Sequence, residues 1–131
     1  MSALAIGLGC RRGASAEAIV DLVRRALRQA DAAADGATLF TLAGKETEAA
    51  LYQAAAALGL PLAFLPRADL EARSADAVTR SQRVVALFGV PSVAETAALA
   101  GAGAGARLVV ARLASSGVTC AIARTATEVR R

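Results

Sequence analysis

Residues 3–15, "ALAIGLGCRRGAS", decide the fold. The apolar run 3–9 ends in glycine and reads best as a buried strand. Gly9-Cys10-Arg11-Arg12-Gly13 then forms a polar junction, and Ser15 is a good helix N-cap. Beyond it Ile19, Leu22, Val23, Ala26, Leu27 and Ala30 recur at helical spacing, while Glu17, Asp21, Arg24 and Arg28 take the opposite face. Acids lead and bases trail, which suits the helix dipole. A helix over about 16–33 follows, so the chain opens with strand, loop and helix.

The same grammar continues outward. "ATLFTLA" (37–43) reads as a second strand, after a turn at Asp35-Gly36. "KETEAALYQAAAALG" (45–59) reads as a second helix, with Gly59 at its end. "LPLAFLP" (60–66) is a third strand whose prolines sit at its ends. Residues 67–88 have no clean period and read as a long loop with some local structure, including one turn of helix in "RADLEAR". "PSVAETAALAGAG" is a third long helix, opening at Pro91 or Ser92. "RLVVARLASSGVTCAIART" reads as a hairpin turning at Ser116-Gly117, with Cys120 facing the core beside Val118 and Ile122. Strands alternating with helices imply a parallel sheet covered on both faces. The expected fold class is therefore α/β: three layers, with a mixed, mainly parallel sheet and a C-terminal antiparallel hairpin. At 131 residues the whole chain, 1–131, is one domain.

Composition narrows the function. Apolar residues make up 56%, which argues against disorder. No stretch reaches the ~18 unbroken apolar residues of a spanning helix, and the N-terminus lacks a basic signal-peptide start. The expectation is a soluble cytoplasmic protein with no membrane partner. Two cysteines, Cys10 and Cys120, are too few for a disulfide framework or a protein-held zinc site, and no histidine is present. No metal and no cofactor are expected. The net charge is +4, and fourteen of the fifteen cations are arginine. That pattern fits an arginine-rich background as well as an anionic partner. The arginines are scattered and no RNA-binding signature or aromatic cluster accompanies them, so nucleic acid is not expected.

In an open α/β sheet, ligands bind beyond the carboxyl ends of the strands. Those ends carry Gly9, Cys10, Arg11, Arg12 and Gly13 after the first strand, with Ser15 opening the helix. Lys45 and Glu48 follow the second strand, and Ser92 and Glu95 open the third long helix. These ten residues are the candidate ligand-binding set. Helix N-termini offer free N–H groups, and arginine adds planar donor forks, a combination suited to carboxylate or phosphate. Backbone N–H groups of residues 12–15 are expected to point into the site. The alternatives are plain: the arginines are solvated, and Lys45 and Glu48 form a surface pair at i, i+3. Cys10 has no histidine to act as its base, so a Cys–His nucleophile is excluded. "GLGCRRG" is neither a dinucleotide fingerprint nor a P-loop. No catalytic residue is assigned; Glu48 and Glu95 are the only site-adjacent candidates for a base.

Taken together, the segments Gly7 to Gly13, Lys45-Glu48-Leu51, Leu58 to Leu62, Thr79 with Ser81, Gly89 to Ala98, and Val118 to Arg124 resemble the CobE / CbiG C-terminal-domain family of cobalamin (corrin ring) biosynthesis. The likeness runs almost end to end; Arg112 stands where the family pattern has lysine, with the charge kept. The resemblance implies an accessory protein that binds an anionic precorrin or corrin intermediate. The alternative is a lactone hydrolase acting on a cobalt-precorrin, as in fused members of the family. It also implies contact with other corrin-pathway enzymes as a further possibility. Such intermediates carry many carboxylates, which matches the anion-seeking loop. Residues 72–88, with Arg73, Arg80 and Arg83, are expected to be mobile and to close over the ligand.

Overall fold

A computed structural model describes residues 4–125. The strands are β1 (Leu4–Cys10), β2 (Thr38–Leu42), β3 (Leu62–Leu65), β4 (Arg107–Ser115) and β5 (Val118–Arg124). The helices are α1 (Ala16–Ala30), α2 (Ala49–Leu58), α3 (Arg67–Glu71), α4 (Gln82–Phe88) and α5 (Val93–Ala102). One sheet of five strands runs in the order β3-β2-β1-β5-β4. β1, β2 and β3 are parallel, and β5 pairs antiparallel with both β1 and β4. The α/β, mixed-sheet expectation is met, hairpin included. The hairpin does more than add an edge: its second strand lies beside β1, so its turn stands at the carboxyl end of β1, with Cys10 opposite Val118.

The two faces of the sheet differ in side-chain size. Along β1, Leu4, Ile6 and Leu8 point to one side; along β5, Val118, Cys120 and Ile122 join them. This face buries Ile19, Leu22 and Val23 of α1 and Leu51 and Ala54 of α2. The opposite face is lined by Ala5, Gly7, Ala121 and Ala123, and α5 packs there with Ala94, Ala98 and Leu99. Strand periodicity puts alternate residues on opposite faces, so β1 and β5 carry bulk for α1 and α2 and almost none for α5. A Cβ at Gly7 would overlap the Ala94 carbonyl and lie 2.6 Å from the Ala98 nitrogen. Gly101 is equally constrained by the ring of Phe40. The alanine-rich α5 thus rests almost directly on the backbone of β1.

Three boundaries depart from the sequence reading. α1 ends at Ala30, because Asp31 takes a left-handed conformation (φ 53°) and caps it. α2 begins at Ala49, with Lys45–Thr47 left in a turn: Glu46 Oε1 accepts the Gly44 N–H at 2.7 Å, and the Tyr52 hydroxyl donates to the Glu46 carbonyl at 2.8 Å. The region 67–88 is not a long loop. It forms α3, a single 3-10 turn at Ser74–Asp76, and α4. Arg73 anchors it by donating to the carbonyls of Leu99, Gly103 and Ala106 at 2.8–3.1 Å, closing the C-terminal end of α5. A cation there complements the helix dipole. Arg73 is therefore spent on the fold and is not free to close on a ligand.

Gly7→Ala tests the close packing. Overpacking at a backbone that cannot retreat should cost about 3 kcal/mol in equilibrium urea unfolding. A loss near zero would contradict the contact between α5 and β1.

Candidate functional site

A cleft of about 810 Å3 opens at the carboxyl ends of the strands. Its floor is the end of β1, where Gly9 and Cys10 meet Val118 and Thr119 of β5. One wall is the hairpin turn. Ser116 (φ 54°) and Gly117 (φ 80°) both have positive φ, as a two-residue hairpin with the right twist requires. The Arg11 N–H donates to the Gly117 carbonyl at 2.8 Å, extending the β1–β5 ladder past its last strand residue. The opposite wall is α4, through Arg83, Val84, Leu87 and Phe88, with Val93 of α5 behind it. A Cβ at Gly9 would press the Thr119 hydroxyl at 2.6 Å and approach Val93, so glycine keeps the floor open.

The charge on the lining is one-sided. Arg11, Arg12, Lys45, Arg83 and Arg112 all line the cleft, and among the described residues no carboxylate does. Lys45 is half-buried, and its Nζ donates to the Cys10 carbonyl at 2.9 Å. The apolar share comes mainly from α4: Leu87 is 58% exposed although it faces the cleft. No residue of α4 is buried. The helix is nevertheless well defined at its ends. Ser81 caps it by accepting the Val84 N–H at 3.2 Å, Gly89 ends it at φ 77°, and the Ser81 N–H donates to the Pro91 carbonyl at 2.9 Å. Residues 81–91 are thus a closed loop carrying a short helix over the cleft.

The candidate residues divide into groups. Gly9, Cys10, Arg11, Arg12 and Lys45 come together on the lining. Gly13, Ser15 and Glu48 stand beside it in local roles. Ser15 caps α1 by accepting the Ala18 N–H at 3.0 Å, and Glu48 accepts the Gly13 N–H at 3.4 Å. The Lys45 and Glu48 side chains bond to β1 and its loop rather than pairing with each other, although the Glu48 N–H donates to the Lys45 carbonyl at 3.0 Å. The Ala14 N–H goes to the Arg11 carbonyl and the Gly13 N–H to Glu48, so these two N–H groups are already engaged within the protein. Ser92 and Glu95 lie behind the wall, both fully buried. Ser92 caps α5 by accepting the Glu95 N–H at 3.1 Å. The Glu95 carboxylate accepts three N–H groups, from Val78 (3.0 Å) and Thr79 (2.8 Å) at Oε1 and from Arg112 (2.9 Å) at Oε2.

Arg83, expected over the ligand, does line the cleft; sequence reading missed Arg112, the apolar side of α4 and the hairpin turn as lining. Ser81 and Gly89 were legible as caps around "QRVVALF", but an exposed seven-residue helix has no buried stripe to betray it. Arg112, a charge in the middle of an apolar stretch of β4, was the signal for the hairpin side of the cleft.

The two thiols are both held protonated. Burial raises the Cys10 thiol above its ordinary value of 9.0; the charge of Lys45 pulls it back and that of Glu48 pushes it further up. Burial pushes Cys120 up to about 12. A raised thiol carries less thiolate, the reactive form, at any given pH. At pH 8 Cys10 should therefore alkylate more slowly than a free cysteine and speed up above pH 9, while Cys120 should stay unmodified until the protein unfolds. Mass spectrometry after timed iodoacetamide treatment reads both; fast labelling of Cys10 at neutral pH would contradict the buried, protonated state.

Comparison with known proteins places the chain in a family. Residues 4–123 match the family model described as "Cobalamin synthesis G C-terminus". The chain is 39% identical over 125 residues to Protein CobE of Sinorhizobium sp., covering 95% of this chain and 81% of that one. Among solved structures, it superposes with a TM-score of 0.90 and 36% identity on CobE, a protein from the cobalamin (vitamin B12) biosynthetic pathway, covering 98% and 94% of the two chains. It superposes with a TM-score of 0.70 and 45% identity on the cobalamin biosynthesis protein chiG of Agrobacterium tumefaciens, covering 92% and 96%. A protein G homolog from Sulfolobus solfataricus shares the fold at 16% identity, where this chain corresponds to 37% of the longer protein. The chain belongs to the family of the cobalamin synthesis G C-terminus.

Proposed function

We propose that this protein serves corrin ring biosynthesis by binding an anionic precorrin or corrin intermediate in the cleft at the strand ends. A role in the cobalamin pathway is supported by the family and by the CobE and chiG relatives. The choice of ligand rests on one observation: five cations and an exposed apolar helix share one cleft that has no carboxylate on its lining. Such intermediates combine a broad apolar macrocycle with a rim of acetate and propionate groups. Guanidinium forks suit carboxylates bidentately, while Val84, Leu87 and Phe88 offer surface for a ring. The volume lies in the upper part of the range for small-molecule sites.

The lining favours holding a ligand over transforming it. It contains no histidine and no carboxylate to serve as acid or base, and its single thiol is held protonated. The cations sit where charge can be neutralised without proton transfer. Exposed Arg11, Arg12 and Arg83 are suited to capture, and half-buried Lys45 and Arg112 to the last contacts. α4, which rests Val84 and Phe88 on the small cluster of Leu42, Leu70, Val90 and Ala97 but leaves Leu87 exposed, is joined at both ends by a closed loop and is the element suited to settle over a ring.

Titration with a porphyrin octacarboxylate, followed by absorbance, tests this reading. Arg11→Ala and Arg12→Ala should each weaken binding by roughly ten- to a hundredfold, the loss expected for a charge-assisted bond. Their melting temperatures should barely move, since both side chains are exposed. Cys10→Ser should bind nearly as well as the parent. Unchanged affinity in both arginine variants would place the site elsewhere, and conversion of a corrin-pathway intermediate seen by mass spectrometry, lost in Cys10→Ser, would establish an enzyme instead.

A further inference from the structure

Glu95 is fully buried, yet none of its contacts is with a cation. Its carboxylate joins three elements. From α5 it holds Val78 and Thr79, the segment that leads into α4, and it holds the backbone of Arg112 in β4. The β4 ladder explains why Arg112 has an N–H to give. Val110 pairs with Ile122 and Leu113 with Cys120, so Ala111 and Arg112 stand opposite Ala121 alone. This is a β-bulge, and a bulge frees a backbone group while re-aiming side chains. Glu95 Oε2 takes the freed N–H, and the Arg112 side chain faces the cleft.

We propose that Glu95 is a positioning residue for the ligand site. Without touching a ligand, it fixes the bulge that aims Arg112 into the cleft and, through its other oxygen, the base of the α4 wall. The inference rests on the ligand reading above only for its affinity measurement. A buried carboxylate with three aligned N–H donors has no freedom to swing, so the Arg112 bulge and residues 78–79 are held in one arrangement before any ligand arrives, while α4 beyond them is left to settle. Preorganisation of that kind raises affinity by removing ordering costs at binding.

Glu95→Gln is a sharp probe. If its amide oxygen keeps Val78 and Thr79, its NH2 faces the Arg112 N–H, donor against donor, and the bulge alone is released. Porphyrin octacarboxylate affinity would be measured well below the melting temperature for Glu95→Gln, Arg112→Ala, Arg12→Ala and the two double variants containing Glu95→Gln. Arg112→Ala should lose roughly tenfold or more, and Glu95→Gln a similar amount. Glu95→Gln should add less than about twofold in the Arg112→Ala background, yet should multiply with Arg12→Ala, because only residues acting through one another depart from additivity. Multiplication in both backgrounds would reduce Glu95 to general stability and overturn the proposal. Should the parent not bind the porphyrin, the ligand reading fails, and amide hydrogen exchange decides the positioning claim by itself. The Arg112 N–H should exchange at least tenfold faster in Glu95→Gln while Ile6 and Ile122 stay protected; an unchanged Arg112 rate would overturn it. If Glu95→Gln does not fold, Glu95→Asp, which keeps the charge and withdraws it by one methylene, carries the same comparisons.

Discussion

The close seat of α5 on the small-residue face of β1 and β5 is the constraint on which the rest depends. Gly7, Ala5, Ala121 and Ala123 let the helix come down until its backbone meets the strand. Everything on that side of the sheet then takes its place from α5. Its C-terminal carbonyls receive Arg73 and so fix the 3-10 turn that follows α3. Its first turn carries Glu95 inward to collect the backbone of residues 78–79 and of β4. Its N-cap, Ser92, stands beside Val93 on the cleft wall. A bulkier β1 would lift the helix and loosen all of these at once, since close-packed interiors transmit such strain.

Charge is handled differently in the two halves of the molecule. The buried carboxylate is satisfied entirely by neutral backbone donors, and no buried side-chain polar atom among the described residues lacks a partner. One cation, Arg73, is drawn inward onto backbone carbonyls, while Arg11, Arg12, Lys45, Arg83 and Arg112 are gathered at the strand ends. Had Glu95 been paired with an arginine, that cation would have been withdrawn from the cleft. Using backbone N–H groups for the buried acid leaves Arg112 available at the lining. The fold thus concentrates unneutralised positive charge at one edge of the sheet, where an anionic ligand gains most from it.

Much of this was legible in the sequence. The period of α1, its Ser15 cap, the order of strands and helices, and the turn at Ser116-Gly117 all follow from local chemistry, and the structure contains each. So does the gathering of Gly9 to Arg12 with Lys45, because strand ends after βα units converge on one edge. Other features depended on long-range contacts that no local pattern encodes. Ser92 and Glu95 looked like site residues because they open a helix at the right edge; only the depth of α5 puts them behind the wall. Arg73 looked free in an irregular segment, while its partners lie about thirty residues away in sequence. α4 was hidden because it buries nothing of its own. The alternation of large and small residues in "LAIGLGC" was readable as well, but as a pattern of size, which polarity-based periodicity overlooks.

The proposed ligand of the edge formed by the β1 loop, α4 and the hairpin turn is a polycarboxylate tetrapyrrole. Amide chemical-shift mapping of the uniformly labelled protein against a porphyrin octacarboxylate or a corrin polyacid tests it most directly. The expected result is a set of saturable shifts confined to Gly9–Gly13, Val84–Phe88 and Ser115–Thr119, all three segments responding with one dissociation constant. Shifts centred on the outer faces of α1 and α2, or non-saturating changes spread over the arginines at large, would contradict it.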